Sequence, residues 1–415
     1  MNRIILIGNG FDLAHGLKTS YADFIEWYWR EWGKRLKMSH IRMEDDRLCS
    51  FTLSNAHYDW FNTLHFEYRI ITPINQPDAL EIAEIAKHSP ELCDFSFKSS
   101  LFEKICEEVE TKNWVDIEDV YYDFLKKSDN PKQLNDDLDF IKEKLVEYLS
   151  SLPEPTLNPN IRNQIMEPVD KEDIAISSKE KWEEMLQIRI KYELQDWDKL
   201  IEGYEDDVSC SNNDVQYFKK ELKKEIFSDN KNVEVKVQSR VRLANNIMLL
   251  NFNYTNIAEM YLPNFDKFFV NNIHGMLSKP ESVIFGYGDE RDDEYKVLMK
   301  KNENEYLQHI KSFQYLDTSN YRKMLAFIES DSYQICIMGH SCGVSDRTLL
   351  ATLFEHPNCV SIKPYYYKKE DGTDNYRELV QNIARNFSSP ALMRDRVVRK
   401  EQCVPLGYSS LSTHQ

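Results

Sequence analysis

Residues Ile4 to Ile7 form a short unbroken apolar run that stops at Gly8-Asn9-Gly10. A run so short and apolar on both faces suits a strand buried inside a parallel sheet, and the glycine turn behind it hands the chain to a helix. Comparable runs return in the last third, at Ile247–Phe252, Lys267–Ile273, Val283–Phe285, Tyr333–Met338 and Val360–Pro364. Helical spacing lies between some of them, at Ile257–Tyr261, Tyr321–Ile328 and Asp346–His356. Strands alternating with helices predict an α/β fold with a Rossmann-like parallel sheet. In such sheets ligands gather at the C-terminal ends of the strands.

The middle of the chain reads differently. Leu101–Val109, Trp114–Leu125, Leu134–Leu152, Lys181–Tyr204 and Val215–Phe227 carry apolar residues three or four apart, and Pro153 to Pro159 breaks the series as a loop. The expectation is a large all-helical insertion over 31–240, a sheet domain made of 1–30 and 241–370, and a C-terminal helix and tail over 371–415. A helix from Tyr21, capped by Thr19 or Ser20, leads into the insertion.

With 69 acidic against 52 basic residues the chain carries a net charge of -17, which opposes nonspecific binding of nucleic acid. The basic group Arg394, Arg396, Arg399 and Lys400 reads as a solvated helix face. No apolar stretch is long enough to span a membrane, and the N-terminus enters a strand without a charged leader, so a cytoplasmic protein is expected. The eight cysteines include no Cys-x-x-Cys pair. That spacing points to reduced thiols, with neither a zinc site nor a disulfide framework, and no metal is expected.

Most of the candidate site residues follow strands. Gly8, Asn9, Gly10 and Asp12 stand where glycines let backbone N–H groups approach a phosphate, although the third glycine of the dinucleotide pattern falls at Leu13 and a tight turn alone would use the same residues. Asn251 and Asn253 share one face of a strand end, suited to holding ribose hydroxyls or a water, or to capping the helix near Thr255. His274, before Gly275, offers a base with a pKa near neutrality, or a structural ring. Gly286 and Gly288 flank another close-approach turn, with Asp289 free to accept from a ribose or from its own loop. Gly339-His340-Ser341-Cys342-Gly343 spells the nucleophile elbow of serine hydrolases. The helix after it starts near Ser345-Asp346, and only His356 and His414 follow, so Gly339, His340 and Ser341 read instead as phosphate or adenosine contacts, with Asp346 as a helix cap.

The run from Leu6 to Tyr21, with Asn251–Thr255, Ile273-His274-Gly275 and Gly339–Asp346 in that order, resembles the AbiH family of bacteriophage abortive-infection proteins. The same blocks are more remotely similar to the sirtuin-like domains of NAD-cleaving defence proteins. That resemblance implies a sirtuin-like sheet, NAD as substrate, and Asn253 and His274 as the residues that serve cleavage of the nicotinamide–ribose bond. It also implies a nicotinamide pocket at Asp23-Phe24, where Ile25 replaces an arginine, while Thr255 replaces an acidic residue. The missing four-cysteine module argues against protein deacetylation. The implied partners are NAD or a related nucleotide, a phage-borne trigger and other copies of the chain. The alternatives are a nucleotide sensor without turnover and a serine hydrolase using Ser341.

Overall fold

The computed structural model describes residues 1–38, 43–53, 93–112, 115–206, 242–262 and 267–408. Along the chain the strands are β1 (Asn2–Ile7), β2 (Met43–Asp45), β3 (Cys49–Leu53), β4 (Cys93–Phe97), β5 (Ile247–Asn251), β6 (Phe268–Asn272), β7 (Tyr333–Met338) and β8 (Cys359–Tyr365). The helices used below are α1 (Asn9–Leu13), α2 (Tyr21–Met38), α3 (Ser100–Lys112), α4 (Ile117–Lys127), α5 (Pro131–Ser150), α6 (Pro159–Ile165), α7 (Ile176–Asp206), α8 (Asn320–Ser330), α9 (Arg347–Glu355), α10 (Tyr376–Arg385) and α11 (Pro390–Arg396).

Five strands pair in the order β6-β5-β1-β7-β8, all parallel. β1 lies at the centre because every one of its residues is buried, with Ile4 and Leu6 on one face and Ile5 and Ile7 on the other. The first face packs on α8, α9 and α10 through Phe327, Leu350 and Ile383. The second packs on α1 and α6 through Phe11, Ile161 and Ile165. Pro364, which cannot donate to a ladder, is accommodated because β8 is an edge strand.

The core of the insertion is built from α2, α3, α4 and α5 around Tyr28, Trp32, Phe102, Tyr121 and Leu138, and Phe285, Tyr287, Leu298 and Tyr306 join it from the later part of the chain. It is not all-helical: β2, β3 and β4 form an antiparallel sheet whose Phe51, Phe95 and Phe97 pack on Trp29 and Trp32. These strands are three to five residues long and only partly apolar, so they leave a weak alternation in the sequence. Residues 30 and 31 fall inside α2, whose apolar face belongs to the insertion core. At the other end α6 returns to the sheet, and α10 and α11 lie against β8, joining the sheet core rather than forming a tail.

Val283–Phe285 is not a strand. It is a buried loop in which Ile284 N–H donates to His274 O at 2.9 Å, and burial of a loop writes the same apolar signal as burial of a strand. Ile257–Tyr261 forms a 3-10 helix, and the helix expected at Val215–Phe227 lies outside the described residues.

Candidate functional site

From β1 the sheet is extended outward by β5 and β6 on one side and by β7 and β8 on the other. The connections therefore diverge between β1 and β7, which opens a crevice above their C-terminal ends. The two loops at that point touch. A side chain on Gly8 would stand 2.5 Å from His340 Cα, one on Gly10 would stand 2.9 Å from Gly339 Cα, and Gly339, at φ +80°, has its Cβ direction blocked by Phe11. Gly10 N–H donates to Gly339 O at 2.8 Å and Gly8 N–H to Met338 O at 3.4 Å. These glycines are required by loop-on-loop packing, and their N–H groups are spent there. This corrects the phosphate-cradle expectation for Gly8 and Gly10.

Above the loops lies a cavity of about 860 Å³, within the range of small-molecule sites. It runs from His274 behind β6, past Asn253, Asp12 and Asn9, across Gly339, His340 and Ser341, to Tyr366 and Lys368 behind β8. Crossing from the first strand of the sheet to the last takes four strand spacings, about 19 Å.

Asn253 and Asp12 meet at its centre. The Asn253 amide donates both hydrogens inward, to Gly8 O at 3.0 Å and to Asp12 Oδ1 at 2.7 Å, which leaves its carbonyl oxygen as the group free to face a ligand. Asp12 Oδ2 accepts from the Thr255 hydroxyl at 2.7 Å. This carboxyl is 1% exposed with neutral partners, and burial pushes its pKa up to about 6 against the pull of those two donors. Asn251, by contrast, is a turn lock: its amide donates to Thr255 O at 3.1 Å and Asn272 Oδ1 at 2.8 Å, and its oxygen accepts from Asn253 N–H at 3.1 Å.

His274 stands behind β6 with its ring edge-on to Phe252 and 4% exposed. Its Nε2 lies 3.2 Å from Asp346 Oδ1 and 3.1 Å from the Tyr315 hydroxyl. Burial outweighs the attraction of Asp346 and lowers the imidazole pKa, keeping the ring neutral. Since the carboxylate must accept, the proton sits on Nε2 and Nδ1 is left as a base. Burial alone would raise the Asp346 carboxyl, but Lys311, and then His274, hold it well below the usual carboxylate range. Lys311, fully buried, donates to Asp346 Oδ1 and to Glu118 Oε2, each at 2.8 Å. Asp346 occupies the cap position of α9 but makes no cap bond, so its expected capping role is replaced by this cluster.

His340 shares the same carboxylate. Its Nδ1 accepts from Cys342 N–H at 2.9 Å, which turns Nε2 toward Asp346 Oδ2 at 3.6 Å. Cys342 holds φ +56°, a conformation unusual for a residue with a side chain and one that concentrates at functional sites. From the insertion, α4 adds Asp116, which caps that helix through Glu118 N–H and Asp119 N–H, and Glu118, whose Oε1 accepts from Gly286 N–H at 3.0 Å. Burial raises the pKa of both carboxyls against the pull of Lys311. Sequence reasoning missed Lys311 and Glu118, because each reads as an ordinary surface charge until its partner is known.

Other expected site residues lie elsewhere. Asp23 accepts from Ser20 N–H and hydroxyl at the start of α2, while Phe24 is buried in the insertion core against Trp27 and Tyr148. Neither lines the cavity. Gly286 does not line it either; its Cβ direction is filled by His309 O, and it acts through Glu118. Asp289 accepts from Arg347 Nη1 at 3.0 Å and from Arg291 N–H, both close by. Ser341 lines the cavity, yet its hydroxyl has no imidazole partner among the described residues, and α9 begins only at Arg347. His356 faces Glu329, and His414 lies outside the described residues. The nucleophile elbow is therefore not built.

Fold and cavity together define an α/β protein whose ligand crevice lies at the switch point of a five-stranded parallel sheet, with a buried carboxylate orienting a neutral imidazole. The sequence model described as Bacteriophage abortive infection AbiH matches residues 4–367, most of the chain, and the protein belongs to that family. Membership implies a part in abortive infection against bacteriophage. No curated protein and no solved structure matches the chain. No helix among the described residues is long and apolar enough to cross a membrane.

Proposed function

We propose that this anti-phage protein binds NAD in the cavity and hydrolyses its nicotinamide–ribose bond. The observation that carries the reading is the placement of His274, with Nε2–H held on Asp346 and Nδ1 bare, in one cavity with Asn253, whose amide is anchored by Asp12 and Gly8. The acidic end formed by Asp116, Glu118 and Asp346, with Asp12 nearby at the centre, suits the cationic pyridinium ring of NAD. As the bond to nicotinamide breaks, the ring takes the bonding electrons and leaves neutral, while the ribose carbon gains positive character. Asn253 Oδ1 orients a water toward that carbon, and His274 Nδ1 takes the proton released as the new C–O bond forms. The ionised Asp346 carboxylate stabilises the developing cation on the ribose.

The test follows nicotinamide release from NAD by the purified full chain, alone and with extract of phage-infected cells. His274→Gln and Asn253→Ala should each lower release by about 100-fold or more and remove phage protection in cells. No release by the unaltered protein under either condition, or equal release by both variants, overturns the proposal; NAD binding without release would make the site a sensor.

A further inference from the structure

Beyond Ser341 the cavity reaches a rim that the proposed chemistry does not use. Tyr367 and Tyr408 stand there 62% and 52% exposed, although both line the cavity. Their backbones are held in place. Tyr367 N–H donates to Asn375 Oδ1 at 2.7 Å, and Tyr367 O accepts from Asn375 N–H at 3.1 Å. The buried Gln164 amide donates to Pro405 O at 2.9 Å and Tyr408 O at 3.1 Å, and its oxygen accepts from Gly407 N–H at 3.0 Å. Leu406 N–H donates to Tyr366 O at 2.9 Å, tying the two segments together. Two large rings are thus kept in water on immobilised backbones, a preorganised arrangement that gains apolar burial only when something planar covers it.

Charge says what kind of group that is. Among the described residues that line the cavity, Lys368 is the one lysine or arginine, and its Nζ stands 5.9 Å from the centre of the Tyr408 ring. The opposite end holds Asp116, Glu118 and Asp346, with Asp12 at the centre. Near β8 the described lining offers one carboxyl, Glu378, beside Lys368, against several at the other end, so a ligand with a cationic and an anionic part lies with its anionic part toward Lys368. We propose that Tyr367, Tyr408 and Lys368 form a subsite for the nucleobase and phosphate of a nucleotide, the rings stacking on the base and Lys368 meeting the phosphate. The inference rests on the NAD reading and deepens it: the adenine half lies behind β8 and the nicotinamide half behind β5 and β6. Tyr367 is the last residue of the family match, and Lys368 and Tyr408 fall past it.

The experiment measures binding of NAD, AMP and nicotinamide mononucleotide to the full chain by calorimetry. The double variant Tyr367→Ala/Tyr408→Ala should weaken NAD and AMP by about 10-fold or more, the size expected for lost base stacking, and leave nicotinamide mononucleotide unchanged. Tyr367→Phe/Tyr408→Phe, which keeps both ring faces, should retain the affinity and serves as the folded control. AMP that fails to bind the unaltered protein, or binds the alanine variant as tightly, overturns the subsite. AMP binding lost in the alanine variant while NAD is never cleaved would uphold the subsite and overturn hydrolysis; NAD cleavage with unchanged AMP affinity would do the reverse.

Discussion

Two buried charge clusters fasten the insertion to the sheet, and they are built on different terms. On the face covered by α6, Arg3 donates to Ile165 O at 2.9 Å, to Glu167 O and to Gln334, while Lys363 Nζ meets Asp173 at 3.0 Å and Glu167 at 3.8 Å. Two cations and two carboxylates share this face, with Lys363 ion-paired and Arg3 satisfied by carbonyl oxygens. Above the C-terminal strand ends, Lys311 is the one lysine or arginine among the described residues that pairs with Glu118 and Asp346, with Asp116 beside them and two imidazoles around Asp346. The first cluster is balanced and needs nothing more. The second has more carboxyls than cations, so its protons and its affinity for a cationic ligand depend on what enters the cavity. A balanced cluster is a staple, and an unbalanced one in a cavity is a site.

Removing the cation from either cluster should produce the largest effect. Lys311→Met and Lys363→Met each leave buried carboxylates without their partner, and each should cost about 3–5 kcal/mol in chemical denaturation. Per folded molecule, however, Lys363→Met should keep full NAD turnover, whereas Lys311→Met should lose it as the Asp346 carboxyl rises. Equal turnover in the two variants would break the contrast between staple and site.

Asp12→Asn should act with the opposite sign. The folded carboxyl titrates at about 6 against an ordinary 3.8, so the folded state is favoured while Asp12 is protonated and loses that advantage as pH rises through this window. An amide can accept from Asn253 and donate its own N–H to the Thr255 hydroxyl without the buried charge. The variant should therefore be more stable than the unaltered protein by up to about 3 kcal/mol near pH 8 and close to equal near pH 4, while NAD turnover falls. Denaturation curves that stay parallel at both pH values would remove Asp12 from the set of destabilised site groups.

The smallest effect is expected at Ser341. Its hydroxyl has no imidazole partner among the described residues, so Ser341→Ala should change stability by less than about 0.5 kcal/mol, and a fluorophosphonate should leave the unaltered protein unlabelled. Labelling at Ser341 would restore the hydrolase reading and move the site away from the carboxylate cluster.

The amino-acid sequence by itself determined the parallel sheet, because β1, β5 and β7 are buried on both faces and such strands must be written as continuous apolar runs. It also placed Asn253 and His274 two residues past the ends of β5 and β6, where both line the cavity. Tertiary structure alone decided the rest. Lys311 and Glu118 stand 193 residues apart, and a buried charge has the same letter as an exposed one, so nothing local distinguishes the pair. The glycines at 8 and 10 look like letters of a phosphate loop, yet their N–H groups donate to Met338 O and Gly339 O where two loops cross, a fact held only by the contact between them. Backbone periodicity is a local consequence of burial and can be read along the chain; the pairing of charges and the fate of individual hydrogen-bond donors are set by distance in space.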